Sequence, residues 1–118
     1  MSYFDVSLNK IEGTLPLFQN VATVNMYANS FTGSIPTKYG LLENLTQLIL
    51  GYNAGISGSI PTELVECDKL TSLSIDGTQI SGNVTFCDSF GGNIEIFVDD
   101  VSICGEECEC CCVKVMYS

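Results

Sequence analysis

The sequence predicts an α/β solenoid, a short right-handed superhelix of about five coils over residues 1–100, followed by a cysteine-rich cap or tail over 101–118. Three observations lead there. Four segments (Phe4 to Pro16, Val24 to Pro36, Leu48 to Pro61 and Leu73 to Thr85) share one pattern, L-x-L-x-x-N-x-L-x-G-x-I-P. The prolines at 16, 36 and 61 step by 20 and 25 residues, and Thr85 follows 24 later, a period that marks stacked repeats. Six of the seven cysteines crowd into the C-terminal third, where a stack must end. The departures are one extra residue after Asn53, and threonines at 78 and 85 in place of Asn and Pro.

Each marked position has a physical reason. Alternating apolar residues such as Leu48 and Leu50 make a short strand with one face inward. Asn9, Asn29 and Asn53 then turn the chain inside the stack, where backbone groups would otherwise lack partners. An amide side chain both donates and accepts, so it can serve two coils at once. The next apolar residue (Ile11, Phe31, Ile56, Ile80) refills the core, and Gly13, Gly33, Gly58 and Gly82 allow a turn that a side chain would strain. Proline, which lacks an N–H, suits the end of a short outer strand. Nine-residue arcs separate Pro36 from Leu45 and Pro61 from Leu70, and place Leu42 and Cys67 at equivalent core-facing positions. The first arc, Pro16 to Val21, is four residues shorter and cannot hold the same helical turn. From Thr85 to Ile94 the spacing is nine again, which predicts a fifth strand over Ile94 to Val98 and puts Asp99 where a core residue would be expected.

The run N-x-L-x-G-x-I-P after a strand resembles the plant-type leucine-rich repeat, over roughly residues 3–100. That resemblance implies a curved solenoid with a parallel sheet on its concave side. It also implies a recognition role, outside the cell, free or on a receptor. On this scheme the residues between core positions form rows across the concave sheet. The rows read Tyr3, Thr23, Gln47, Ser72, Ile96, then Asp5, Asn25, Ile49, Ser74, Val98, then Ser7, Tyr27, Gly51, Asp76, Asp100. Tyr27, Ile49 and Tyr52 have no core duty and are ringed by polar groups, the usual composition of a binding anchor. Asn25, Tyr27, Gln47, Ile49, Tyr52, Ser74 and Asp76 are therefore the expected ligand-binding residues.

Taking Cys67 as a buried thiol leaves Cys87, Cys104, Cys108, Cys110, Cys111 and Cys112, an even set that can form three disulfides in fifteen connectivities. Crosslinks would offset the lost burial of a last coil and imply an oxidising compartment. Cys108-Glu-Cys110-Cys111-Cys112 resembles the caps of some algal (diatom) leucine-rich-repeat proteins, but lacks a further cysteine pair near Lys114 and Val115. A four-cysteine zinc site is the alternative, with Cys104-x₃-Cys108 at knuckle spacing. An unpaired tail is the third possibility. Metal and cofactor are both expected to be absent.

Composition narrows the function further. Fourteen Asp and Glu against four lysines and no arginine give a net charge of −10, which argues against nucleic acid. Seven of the carboxylates lie from Asp88 onward, so the C-terminal end is the acidic pole. With no histidine, Ser-His and Cys-His catalysis within this chain is ruled out, and there is no phosphate loop. No apolar run approaches a membrane span. Sequons at Asn44-Leu-Thr46 and Asn83-Val-Thr85 join the cysteines in favouring an extracellular or cell-surface protein. Met1-Ser-Tyr-Phe shows no signal peptide and no capping helix, so the chain is expected to be a piece of a longer one; a cytoplasmic protein with reduced thiols is the alternative. The expected function is non-catalytic recognition of a protein, peptide or glycan through the concave face, and the alternative is a structural adhesion protein of the cell surface or matrix.

Overall fold

The structure, a computed structural model, describes residues 2–81, 94–99 and 112–114. Strands β1 (Ser2–Asp5), β3 (Val21–Asn25), β5 (Gln47–Ile49), β7 (Ser72–Ser74), β9 (Glu95–Val98) and β10 (Cys112–Lys114) stand side by side in that order as one parallel sheet. A second parallel sheet holds β2 (Glu12–Thr14), β4 (Ser30–Gly33), β6 (Gly55–Gly58) and β8 (Gln79–Ile80). From β1 to β8 the strands alternate between the two sheets, so each of the first four coils contributes one strand to each. This is a leucine-rich-repeat solenoid with its main sheet on the concave side. The backbone of Cys112–Lys114 adds a sixth strand beside β9.

The core is a set of apolar columns running along the stack. Val24, Leu48, Leu73 and Ile96 pair in register across β3, β5, β7 and β9, and all are buried. Met26, Leu50, Ile75 and Val98, two residues further along each coil, are buried as well. The arcs close the other side with 3₁₀ turns at Thr37–Leu41 and Thr62–Glu66, which bury Tyr39 and Leu64. Leu42 and Cys67 lie in the core at equivalent positions, and the Cys67 thiol donates to the Tyr39 carbonyl at 3.2 Å. Burial pushes that thiol above its ordinary pKa, so it packs as a small apolar group rather than reacting.

Three expectations for the ends of the stack are corrected. In the fifth coil Ile96, not Phe97, pairs with Leu73, because the joint after Ile94 is one residue shorter than the joint after Leu70. Ile96 and Val98 are therefore core residues, and Glu95 and Phe97 take the outward rows. The physical reason is visible in Ile94-Glu-Ile-Phe-Val98: the other register would bury the Glu95 carboxylate without a partner. Asp99 likewise leaves the expected core position for the outward row, where its carboxylate accepts the Gly77 N–H at 2.7 Å. At the other end Ile11 is 38 % exposed rather than buried, since among the described residues no coil lies beyond it.

The short first arc is filled by rings instead of a helical turn. Phe4, Phe18 and Tyr39 meet in sequence at tilted angles, with centroids 5.0 and 5.9 Å apart, and the Tyr39 hydroxyl donates to the Pro16 carbonyl at 2.5 Å. Burial raises the Tyr39 phenol well above its ordinary pKa. The native state then holds this proton more tightly than the unfolded chain. The resulting stability is fully present below pH ~10 and is lost as pH rises beyond it, by up to ~1.4 kcal/mol per pH unit. Tyr39→Phe should cost ~0.5–1.5 kcal/mol at pH 7 and flatten this alkaline decline, as measured by urea denaturation between pH 7 and 11. An unchanged decline would assign it to other groups.

Asparagine side chains bind the coils to one another. Asn53 Nδ2 donates to the Leu50 and Gly51 carbonyls of its own coil and, at 2.8 Å, to Met26 of the coil before; its Oδ1 accepts the Phe31 N–H at 3.1 Å. Asn29 repeats the arrangement one coil earlier, with Val6 and Ile11 as the partners across the gap. Asn9, in the first coil, bonds the carbonyls of Val6 and Ser7 in its own coil. The break at Thr78 has a cause in the coil before it. The extra residue after Asn53 lets the Ile56 N–H bond the Asn53 carbonyl at 3.0 Å, so it needs no acceptor from coil four. Thr78 then has only local work, donating to the Ile75 carbonyl at 2.6 Å.

Candidate functional site

The concave face is set by the sheet register, which aligns Tyr3, Thr23, Gln47, Ser72 and Glu95 in one row and Asp5, Asn25, Ile49, Ser74 and Phe97 in the next. A third row follows just beyond the strands, where Tyr27, Gly51 and Asp76 succeed one another. Main-chain bonds tie it together: Ala28 N–H to Gly51 carbonyl at 2.9 Å and Tyr52 N–H to Asp76 carbonyl at 2.8 Å. Five of the seven expected residues, Tyr27, Gln47, Ile49, Ser74 and Asp76, line one depression of about 320 Å³ together with Ser72 and Phe97.

The individual side chains play different parts. Asn25 Oδ1 accepts the Tyr27 backbone N–H at 3.1 Å, so it shapes the loop that presents the ring. Tyr27 and Tyr52 meet edge to face with centroids 5.4 Å apart, a favoured aromatic geometry. Burial, the Asp76 carboxylate and the Tyr52 ring together raise the Tyr27 phenol above its usual pKa. Gln47 is exposed and Ile49 half-buried, both open to a ligand. Ser74 and Asp76 are not on the rim but in the floor: both are buried, and the Ser74 hydroxyl donates to Asp76 Oδ1 at 2.6 Å. Gly51 permits this. A Cβ there would come within 2.8 Å of both Asp76 Oδ1 and Ser74 Oγ, and within 2.9 Å of the Tyr27 ring.

Tyr52 occupies a special backbone position. The residue before each turn asparagine, or before Thr78, is left-handed: Leu8, Ala28 and Tyr52 at φ 59° and Gly77 at φ 69°. Coil four uses the residue suited to that conformation, whereas coil three holds a bulky aromatic there, at a cost of roughly 1–2 kcal/mol. The ring it carries is 46 % exposed beside Tyr27. Phe97 was missed in the sequence because of the shifted fifth register; the charge of Glu95 between two isoleucines was the signal that could have placed it.

Elsewhere the expected sites have other duties or lie out of view. Asn44 is exposed on the arc, and its Oδ1 accepts from Lys69 Nζ at 3.1 Å. Thr46, which completes that sequon, donates to the Ala22 carbonyl at 3.0 Å, and Thr71 makes the equivalent bond to Thr46 at 3.2 Å without a sequon. The threonine thus has a structural reason to be there. Asn83 and the cysteines Cys87, Cys104, Cys108, Cys110 and Cys111 lie outside the described residues, and of Cys112 only the backbone strand is described. Among the described residues no cluster of acidic or cysteine side chains could hold a metal ion, and no helix is long and apolar enough to cross a membrane.

No family model and no curated protein matches the chain. Solved structures do. The plant peptide hormone receptor RGFR1 in complex with RGF2 superposes with a TM-score of 0.73 at 24 % identity, over 90 % of this chain and 19 % of the receptor chain. The ectodomain of the receptor kinase SOBIR1 from Arabidopsis thaliana superposes at 0.70, also with 24 % identity, over 82 % of this chain and 55 % of that one. The chain therefore spans little more than half the length of one and about a fifth of the other. At such identity the likeness speaks for architecture, and the architecture of this chain is the leucine-rich-repeat fold found in plant receptor ectodomains.

Proposed function

We propose that this chain is a non-catalytic recognition module that binds a protein or peptide along its concave face, outside the cell, as part of a receptor ectodomain or a secreted binder. The observation that carries this is the Tyr27–Tyr52 pair. The rings meet edge to face, and Tyr52 is left half exposed at a left-handed turn position that Leu8, Ala28 and Gly77 share, so the fold itself does not call for an aromatic side chain there. A side chain kept against its backbone preference is best explained by what it touches. The neighbour solved with a peptide hormone supports the same reading. Paired cysteines in the tail, and a glycan at Asn44 or Asn83, belong to this proposal as consequences of an extracellular location.

The test separates fold from function. Tyr52→Gly relieves the left-handed backbone while losing the ring contact, so its melting temperature should stay close to that of the parent. Peptides selected from a displayed random library against the wild-type protein should lose at least tenfold in affinity for Tyr52→Gly and for Tyr27→Ala. They should bind Lys38→Ala, on the arc side, unchanged. Equal loss with Lys38→Ala would move the site off the concave face.

A further inference from the structure

The depression between Tyr27 and Phe97 has a chemical character that peptide recognition alone does not demand. Its floor is the Asp76 carboxylate, in a residue only 3 % exposed, with the Ser74 hydroxyl donating to it at 2.6 Å. Carboxylate, hydroxyl and the Tyr27 ring edge converge over Gly51, which leaves no side chain between them. Tyr27 and Phe97 both line the depression. Asp99 continues the outward row, and Glu95 lies two residues before Phe97. Of the four lysines, Lys10, Lys38 and Lys69 do not line this depression, and of Lys114 only the backbone is described. The chain as a whole carries −10.

We infer that this depression takes the lysine or arginine side chain of an extended peptide, a conclusion that rests on the peptide-recognition reading and gives it a ligand chemistry. A buried carboxylate interacts more strongly with a cation than one in water, because less solvent screens it. It has about four lone-pair directions and can accept from a guanidinium while still accepting from a serine. The aromatic rings of Tyr27 and Phe97, both lining the depression, can add attraction for a cation that reaches a ring face. A carboxylate-bearing ligand would be repelled by the same carboxylate, and a purely apolar one would gain nothing from its charge.

The probes are acetylated, amidated hexapeptide pools with randomised flanks and a fixed central arginine, lysine, citrulline or glutamate. Citrulline keeps the shape of arginine and removes its charge. Fluorescence anisotropy should show the arginine and lysine pools binding at least tenfold more tightly than the citrulline and glutamate pools. Nuclear magnetic resonance should show shifts of the Tyr27 and Phe97 ring signals on addition of the arginine pool. Asp76→Asn should erase the difference between arginine and citrulline. If that variant melts early, Phe97→Leu serves instead, and the arginine advantage should fall at least threefold. Pools that all bind at Tyr27 with equal affinity would overturn the inference and leave peptide recognition standing. Binding of none of the pools, with an oligosaccharide array giving the signal at Tyr27, would overturn both.

Discussion

Leu50→Ala should lower the unfolding free energy by ~2–5 kcal/mol, read as a shift in the urea midpoint. Leu50 is completely buried in the third coil, with Met26 and Ile75 occupying the same column on either side. Removing three carbons there leaves a cavity that neither neighbouring coil can close, because each is held by its own sheet bonds: Met26 N–H to Ile49 carbonyl, Leu50 N–H to Ser74 carbonyl, Ile75 N–H to Phe97 carbonyl. For a single small domain this is a large part of the whole stability. Leu8→Ala, at a side chain 78 % exposed in the first coil, should change the midpoint hardly at all. A loss under ~1 kcal/mol for Leu50→Ala would mean that the coils do not stack in this register.

Asn53→Ala should cost nearly as much, at ~2–4 kcal/mol. It removes the side-chain acceptor of the buried Phe31 N–H and leaves the Met26 carbonyl with only the longer Asn29 Nδ2 bond at 3.2 Å, and a stranded buried group costs ~1–3 kcal/mol. Asn53→Asp should not rescue it, because a carboxylate cannot donate to the three carbonyls now served and would be buried without a countercharge. The effects should grade along the stack. Asn29→Ala should be milder, because Asn29 is only half-buried, and Asn9→Ala milder still, because that side chain is exposed and bonds its own coil. Equal losses at all three positions by chemical denaturation would show that these side chains do not act by joining coils.

The coil boundaries were legible because the constraint repeats: an asparagine, a core residue and a glycine recur at fixed offsets, and errors in one coil are corrected by the next. Register was lost in the fifth coil, where those markers stop and only alternation remains; one residue fewer after Ile94 was enough to invert every side chain. The left-handed turn before each asparagine was not legible at all. Leu8, Ala28 and Tyr52 carry no glycine signature, and the conformation is imposed by the bonds that follow it. In the site, Tyr27, Ile49 and Tyr52 could be read as outward aromatic and apolar groups without core duty. The burial of Ser74 and Asp76 could not, because it depends on the Tyr27 ring of the second coil and the Ser74 and Asp76 side chains of the fourth meeting over Gly51 in the coil between. The reason for Thr78 also lay elsewhere, in the extra residue of the preceding coil.

The most direct measurement is amide chemical-shift mapping of the isotopically labelled protein with a peptide selected from the displayed random library. Residues move where the ligand sits, whatever its sequence. The largest perturbations should fall on Tyr27, Gln47, Ile49, Ser74 and Phe97, crossing at least three adjacent coils. The arc turns Thr37–Leu41 and Thr62–Glu66 should remain at their free positions. Perturbations concentrated on those arc turns, with the concave rows unmoved, would contradict the assignment of recognition to the sheet.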